Sequence, residues 1–268
     1  MARQRRFRVA SLQGLRPGDA VALPAAEARH ARVLRLAAGA EIAVFDGAGR
    51  SALARLAETP QGPGAELLAL SARAETAGSL VLATAWPKGK RAALLVEKCS
   101  ELGVHRILPV RYARSVVLKA EDSESLARLR RIAAEAAKQC GRNDEPEIAA
   151  ECSFSQLLAE EAPNACCFLL DARADLYLAE ALLEKRALLC AQPLLLIVGP
   201  EGGLAPEELA AADAAGLPRV RLAPHVLRVE TAALAACAIA GAVLELNPKL
   251  EIRNPKETDK PEKPNGMC

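Results

Sequence analysis

The apolar positions of this chain fall into two regimes. Through the first 75 residues they come in short runs, at residues 20–23, 41–45, 51–57 and 66–74, separated by Gly39, Asp46, Gly47, Gly49, Gln61, Gly62, Pro63 and Gly64. Short strands at this spacing, broken by turn formers, predict a small β-barrel. Residues 25–36 are the exception: their spacing is helical, with His30, Val33 and Leu34 available to one face.

From about residue 79 strand and helix signals alternate. Residues 80–83 and 107–110 read as strands around a helix over 91–102, in which Leu95, Cys99 and Leu102 share a side and Gly103 is the stop. Residues 123–140 predict a longer amphipathic helix, with Leu126, Leu129, Ile132, Ala133, Ala136, Ala137 and Cys140 at spacings of three and four. Strands at 165–170, 194–198 and 220–222 and helices at 176–185, 206–215 and 231–246 complete the series. This alternation predicts an α/β domain on a parallel sheet, with a ligand beyond the carboxyl ends of the strands where the strand order switches. The expected division is 1–75 for the barrel, 76–247 for the α/β domain and 248–268 for a tail. In that tail Pro248, Pro255, Pro261 and Pro264 stand among charges with hardly any apolar residue, so it is predicted to be disordered.

Composition narrows the function classes. At 51% hydrophobic and 25% charged the chain is an ordinary globular protein, and its 3% of aromatics leaves few surfaces for stacking bases. A bound nucleic acid would be gripped by charge and shape. The net charge of +2 conceals an asymmetry: residues 1–35 hold eight arginines against Asp19 and Glu27. Such a basic end reads either as a phosphate-facing surface or as a solvated face without a partner. The eight cysteines form no CxxC pair, which argues against a disulfide framework or zinc site; Cys99, Cys140, Cys166, Cys167 and Cys237 read as small buried hydrophobes in a reducing cytoplasm. The longest apolar stretch, 232–244, is too short to span a bilayer, so no membrane role is expected, and the cysteine spacing leaves no metal expected either.

The chemistry concentrates at two loops. The apolar run 194–198 leads into Gly199, Pro200, Glu201, Gly202 and Gly203. Glycine permits positive φ and close backbone approach, but Pro200 removes an amide donor and Glu201 adds negative charge, which suits a neutral or cationic ligand better than phosphate. The loop lacks the Gly-Lys-Ser/Thr ending of a P-loop and is not GxGxxG. Read blandly, it is a strand-to-helix turn before Pro206. A second loop follows the strand at 220–222 and ends in Arg228, Val229, Glu230 and Thr231. Thr231 reads as a helix N-cap with Glu230 favourable beside the dipole. Arg228, a cation just before a helix start, implies a partner such as Glu201, Glu230 or RNA phosphate. His30 and His225 read as structural or phosphate contacts, and His105 as a surface residue.

The strings LLLIVGPEGGLAPEEL and LAPHVLRVETAAL resemble the carboxyl-terminal signature of the RsmE family, the 16S rRNA uridine-N3 methyltransferases of the knotted SPOUT class. The likeness runs through Arg5 to Phe7, through Arg29, His30, Val33, Leu34 and Arg35, and through Lys88 and Lys98 to Val104. Arg114 with Ser115, and Glu135 to Arg142 with Pro146, extend it. The chain departs from the family at Ala223, usually glycine, and at Ala113, usually acidic, which leaves Arg114 without its usual neighbour.

The resemblance implies a PUA-like barrel that grips rRNA, ahead of a trefoil-knotted, dimerising α/β domain. S-adenosylmethionine would be held by Val198, Gly199, Pro200, Glu201, Gly202, Gly203, Leu222, Ala223, Val226, Leu227, Arg228 and Thr231. RNA would meet Arg5, Arg6, Arg8, Arg29, His30, Arg32, Arg35, Lys88 and Arg142. For transfer to N3, which carries a proton, the candidates are Arg228 and Arg114 for anion or phosphate stabilisation and Glu201 or Glu230 for orientation or proton removal. The sequence does not rank them. The rival readings are a SPOUT enzyme on another rRNA or tRNA base, and a non-catalytic rRNA-binding assembly factor.

Overall fold

The computed structural model describes residues 5–72, 79–87, 89–115, 123–189 and 191–251. Its first unit holds β1 (Arg6–Arg8), β2 (Ala20–Ala22), α1 (Ala25–Val33), β3 (Glu41–Phe45), β4 (Arg50–Thr59) and β5 (Gly62–Ala72). These strands form one mixed sheet in the order β1-β3-β4-β5-β2, with β1 parallel to β3 and the other pairs antiparallel. Ala52, Ala54 and Leu56 of β4 turn inward at alternate positions, as a strand with one wet face must. They join Phe7, Val9, Leu12, Ile42, Val44 and Leu67, and α1 adds Ala28 and Ala31. The strand β1 escapes sequence reading because two arginines flank its one core residue, Phe7.

A buried carboxylate fixes the corner after β3. Asp46 accepts from the amides of Ala48 (2.9 Å), Leu12 and Arg50 (3.2 Å each) and from the Arg50 guanidinium (3.3 Å). Burial pushes its pKa up, but those donors outweigh burial and the net shift is downward.

The second unit runs β6 (Leu80–Ala85), α2 (Lys90–Glu101), β7 (Arg106–Arg111), α3 (Ser123–Cys140), β8 (Glu147–Ile148) and β9 (Cys152–Ser153). There follow α4 (Phe154–Gln156) with π and 3-10 turns to Asn164, β10 (Cys166–Leu170), α5 (Leu178–Glu184) and α6 (Arg186–Leu189). The chain continues through β11 (Leu194–Val198), α7 (Pro206–Ala214) and β12 (Arg219–Val220) to α8 (Val229–Glu251). Every strand pairing here is parallel, in the order β12-β10-β11-β6-β7-β8, with β9 also on β7. β6 and β11 are buried at every position, so they read as unbroken apolar runs. The first strand, β6, thus lies inside the sheet with β7 on one side and β11 on the other, and the strand order reverses there.

Several expectations are corrected. α8 begins at Val229, so Thr231 lies inside its first turn and is not the N-cap. The helix also takes in residues 248–251, assigned above to the tail; residues 252–268 lie outside the described residues. Cys140 is exposed, whereas Cys99, Cys166, Cys167 and Cys237 are buried. Burial lifts the Cys167 thiol to about 12, and a hydrogen bond with Cys99, together with burial, holds Cys237 well above its ordinary value. His105 is half-buried: its Nδ1 accepts from the amide of Leu80 (3.2 Å) and its Nε2 lies 3.6 Å from Asp144. Among the described residues no helix is long and apolar enough to cross a membrane.

The loop after α3 ties the two units together. Arg6 donates to the carbonyl of Arg142 (2.7 Å) and to Asn143 Oδ1 (2.6 Å), and Asn143 donates onward to Ser51 Oγ (3.0 Å). Arg8 pairs with Glu145, and Lys138 of α3 with Glu27 of α1 at 2.6 Å.

Candidate active site

The loop after β11 is shaped by backbone demands that glycine alone meets. A Cβ on Gly199 would stand 2.4 Å from Leu204 Cδ1, so glycine lets Leu204 fold back over the loop. Gly203 has a φ of +68° and donates its amide to Pro200 O (2.9 Å), closing a four-residue turn. Glu208 of α7 then accepts from two backbone amides, Ala205 (2.8 Å) and Ala113 (2.7 Å). That carboxylate pins the segment after β7 to the loop after β11. Arg114, next in line, donates to Gly202 O (3.1 Å). Its partner is therefore a backbone carbonyl, in place of the acidic neighbour that Ala113 does not provide.

These loops enclose a cavity of about 380 Å³ beyond the carboxyl ends of β10, β11 and β12. Val198, Gly199, Pro200, Glu201, Gly202, Gly203, Leu222, Ala223, Val226 and Leu227 all line it. Arg228 and Thr231 are outside its wall, and both are exposed. The wall also includes Leu170, Asp171, Ala172 and Arg173, which sequence reading missed. The rule that placed the ligand at strand ends reaches them too, since β10 was expected.

The lining fits S-adenosylmethionine. Leu170, Val198, Leu204, Leu209, Leu222 and Leu227 offer apolar surface to an adenine ring. Asp171 and Glu201 bring negative charge for a sulfonium or amino group, and Arg173, Arg221 and His225 stand along the same wall for a carboxylate.

A second cavity, of about 480 Å³, adjoins the first across the glycine loop and lies beyond the ends of β6 and β7. Arg114, Pro200, Glu201, Gly202 and Val229 line both. Trp86, Arg91, Arg111 and Glu230 belong to the second alone. Arg91 Nη1 is 3.4 Å from Glu201 Oε1, and its Nε is 3.7 Å from Glu230 Oε1. It thus takes the place between the two glutamates that the sequence offered to Arg228. Glu230 is only 8% exposed, and its Oε2 is buried without a hydrogen-bond partner among the described residues. A signal for Arg91 was present: it stands at the second position of α2, where a cation opposes the helix dipole.

The expected RNA contacts divide into two groups. Arg5, Arg29, His30, Arg32 and Arg35 are exposed, the middle three on α1. Arg6 and Arg8 are engaged across the seam between the units. Arg142 faces inward, donating to the carbonyls of Ser100 and Val104 (2.8 Å each) and pairing with Asp144, so its geometry is that of a brace and not of a phosphate contact. Lys88 lies outside the described residues.

Comparison with known proteins agrees with this architecture. Residues 74–241 match the RNA methyltransferase domain family and residues 23–62 the RNA methyltransferase PUA domain. The chain is 34% identical to ribosomal RNA small subunit methyltransferase E of Synechocystis, over 80% of this chain and 70% of that protein. It is 33% identical to the protein of the same name in Mycobacterium bovis, over 80% and 82%. The crystal structure of the Neisseria gonorrhoeae ribosomal RNA small subunit methyltransferase E bound to S-adenosylmethionine superposes with a TM-score of 0.76 at 29% identity, covering 90% of this chain and 98% of that one. The parallel sheet flanked by helices is of the SPOUT type, preceded by a PUA-like domain. The chain belongs to the RsmE family of small-subunit ribosomal RNA methyltransferases.

Proposed function

We propose that the protein methylates N3 of a uridine in 16S rRNA of the small ribosomal subunit, with S-adenosylmethionine as donor, as a cytoplasmic homodimer. The observation that carries this reading is the clasp: the Gly199 to Gly203 loop and the loop from Leu222 to Val229 close on one cavity at the carboxyl edge of a parallel sheet. When bound, the donor supplies an electrophilic methyl group on a positively charged sulfur. The chain's share is to hold that charge near Glu201, to exclude water with Leu204 and Leu227, and to manage the N3 proton. Glu230, buried in the wall of the second cavity, is the better placed of the two glutamates for the proton; Glu201 is 65% exposed in its side chain and suits orientation. Arg114 bridges both cavities and is placed to stabilise an imide anion. Exposed Arg228 suits an RNA phosphate.

A catalytic unit over 76–247 with a trefoil knot is supported by the path of α8. That helix packs on β6 and β11 inside the sheet although β12, which precedes it, is at the edge. Val226, 84% exposed at the mouth of the donor cavity, is an apolar surface that a second subunit would cover.

The test is incubation with labelled S-adenosylmethionine and small subunits lacking the modification, followed by nuclease digestion and mass spectrometry. The label is expected on a uridine N3. Label on another base, or on tRNA alone, would overturn the substrate assignment.

A further inference from the structure

We infer that the second cavity, between the ends of β6 and β7 and the glycine loop, is the pocket for the flipped-out acceptor base, with Arg91 and Trp86 as base-contacting residues. The inference rests on the proposed uridine specificity and adds the site where the base is read.

Three observations lead to it. The cavity adjoins the donor cavity, with Arg114, Pro200, Glu201, Gly202 and Val229 common to both walls, so a ring in one is the neighbour of a donor in the other. A base paired inside an RNA helix cannot reach such a site and must be extruded into it. Next, the charged groups match one edge of uracil. That edge presents acceptor, donor, acceptor at O2, N3–H and O4, and the cavity sets Arg91 and Arg114 as donors beside the acceptor Glu230. Cytosine, which presents an acceptor at N3 and a donor at N4, would set its N3 lone pair against the carboxylate.

Last, Glu230 Oε2 is buried without a hydrogen-bond partner among the described residues, and such an oxygen costs free energy unless a donor arrives. The N3–H of uracil is a donor of the right kind. As the reaction proceeds, N3 releases its proton to the Glu230 carboxylate. The N3 lone pair forms the bond to the methyl carbon, and the pair of the breaking C–S bond returns to sulfur. Arg91, held 3.7 Å from Glu230 and 3.4 Å from Glu201, balances the anionic charge on the ring until the bond forms. Trp86 lines the same cavity and offers the indole surface on which a base stacks.

Trp86 is the only tryptophan of the chain, so its fluorescence reports on this pocket. The full chain, saturated with S-adenosylhomocysteine, is titrated with uridine 5′-monophosphate and with cytidine 5′-monophosphate. Uridine 5′-monophosphate is expected to quench the emission and cytidine 5′-monophosphate to quench it far less. In Arg91→Ala the uridine-dependent quench should vanish and single-turnover methylation of small subunits should fall about 100-fold, while S-adenosylmethionine affinity by calorimetry stays within about twofold. Arg91 is half exposed, so its removal leaves the fold intact, and an unchanged thermal unfolding curve verifies this. Equal quenching by both nucleotides, a quench that survives Arg91→Ala, or uridine N3 methylation at the wild-type rate in that variant would overturn the assignment while leaving the proposed function standing. Transfer by the unsubstituted protein to a base other than uridine would instead overturn the function on which it rests.

Discussion

Single residues here are held in place by charge as much as by packing, and Asp46 is the clearest case. Its native carboxyl binds a proton less readily than in the unfolded chain, because three amides and Arg50 favour the anion over the opposing effect of burial. Its contribution to stability is therefore complete above the unfolded value, near 3.9, and is lost as pH falls through the lower native value. Asp46→Asn is expected to destabilise the protein by about 2 kcal/mol at neutral pH, with the gap closing as the pH drops below about 4. Urea unfolding of both proteins across that range measures it; a gap that is constant with pH would contradict the charge argument. Arg142 shows the converse lesson. Its family block and positive charge suggested phosphate, but a guanidinium that donates to two carbonyls and an aspartate has no geometry left for RNA.

Among the elements, the loops after β7 and β11 act as one piece because Glu208 accepts from both Ala113 and Ala205. Glu208 is a positioning residue, and its removal should release Arg114 from Gly202 without emptying the donor cavity. Glu208→Ala is expected to lower the rate of methyl transfer about 10-fold, to leave S-adenosylmethionine affinity nearly unchanged, and to be partly rescued by Glu208→Gln, which keeps one acceptor. Loss of donor binding in step with the rate would mean that Glu208 supports the cradle itself. Such a coupling could not be read from sequence, where residues 113 and 208 are far apart and nothing marks them as partners. What could be read was periodicity. The buried strands β6, β10 and β11 announce themselves as apolar runs and the helix α3 through its spacing, while α7 is marked by Pro206 at its start, and with them came the carboxyl edge at which a ligand was expected. The two-residue strands β8 and β9 are too short to carry a period, and β1 is hidden by its arginines. The glycine loop stood out as a candidate site because glycines at a strand end have few other uses; Arg91 left only the signal of a cation at a helix start, because its two partners come from the loop after β11 and from α8.

For the whole molecule, the fold divides the work between a basic amino-terminal unit and an α/β unit that carries both cavities. Arg29, Arg32 and Arg35 remain exposed on the former, while Arg6, Arg8 and Arg142 hold the seam. Replacing Arg29, Arg32 and Arg35 together with alanine should reduce the slope of log affinity for small subunits against log salt by about 2 to 3. A slope that does not change would show that RNA lies elsewhere. In the α/β unit the proposed donor loop follows β11, beside β6 where the strand order reverses, and Gly199 permits its shape because a side chain would collide with Leu204. Calorimetry of S-adenosylmethionine binding to the unsubstituted chain and to Gly199→Val tests this most directly. Saturable binding is expected of the first and a loss of about 100-fold or more in the second, with the circular dichroism of both unchanged; equal affinity in the two would show that the loop does not hold the donor.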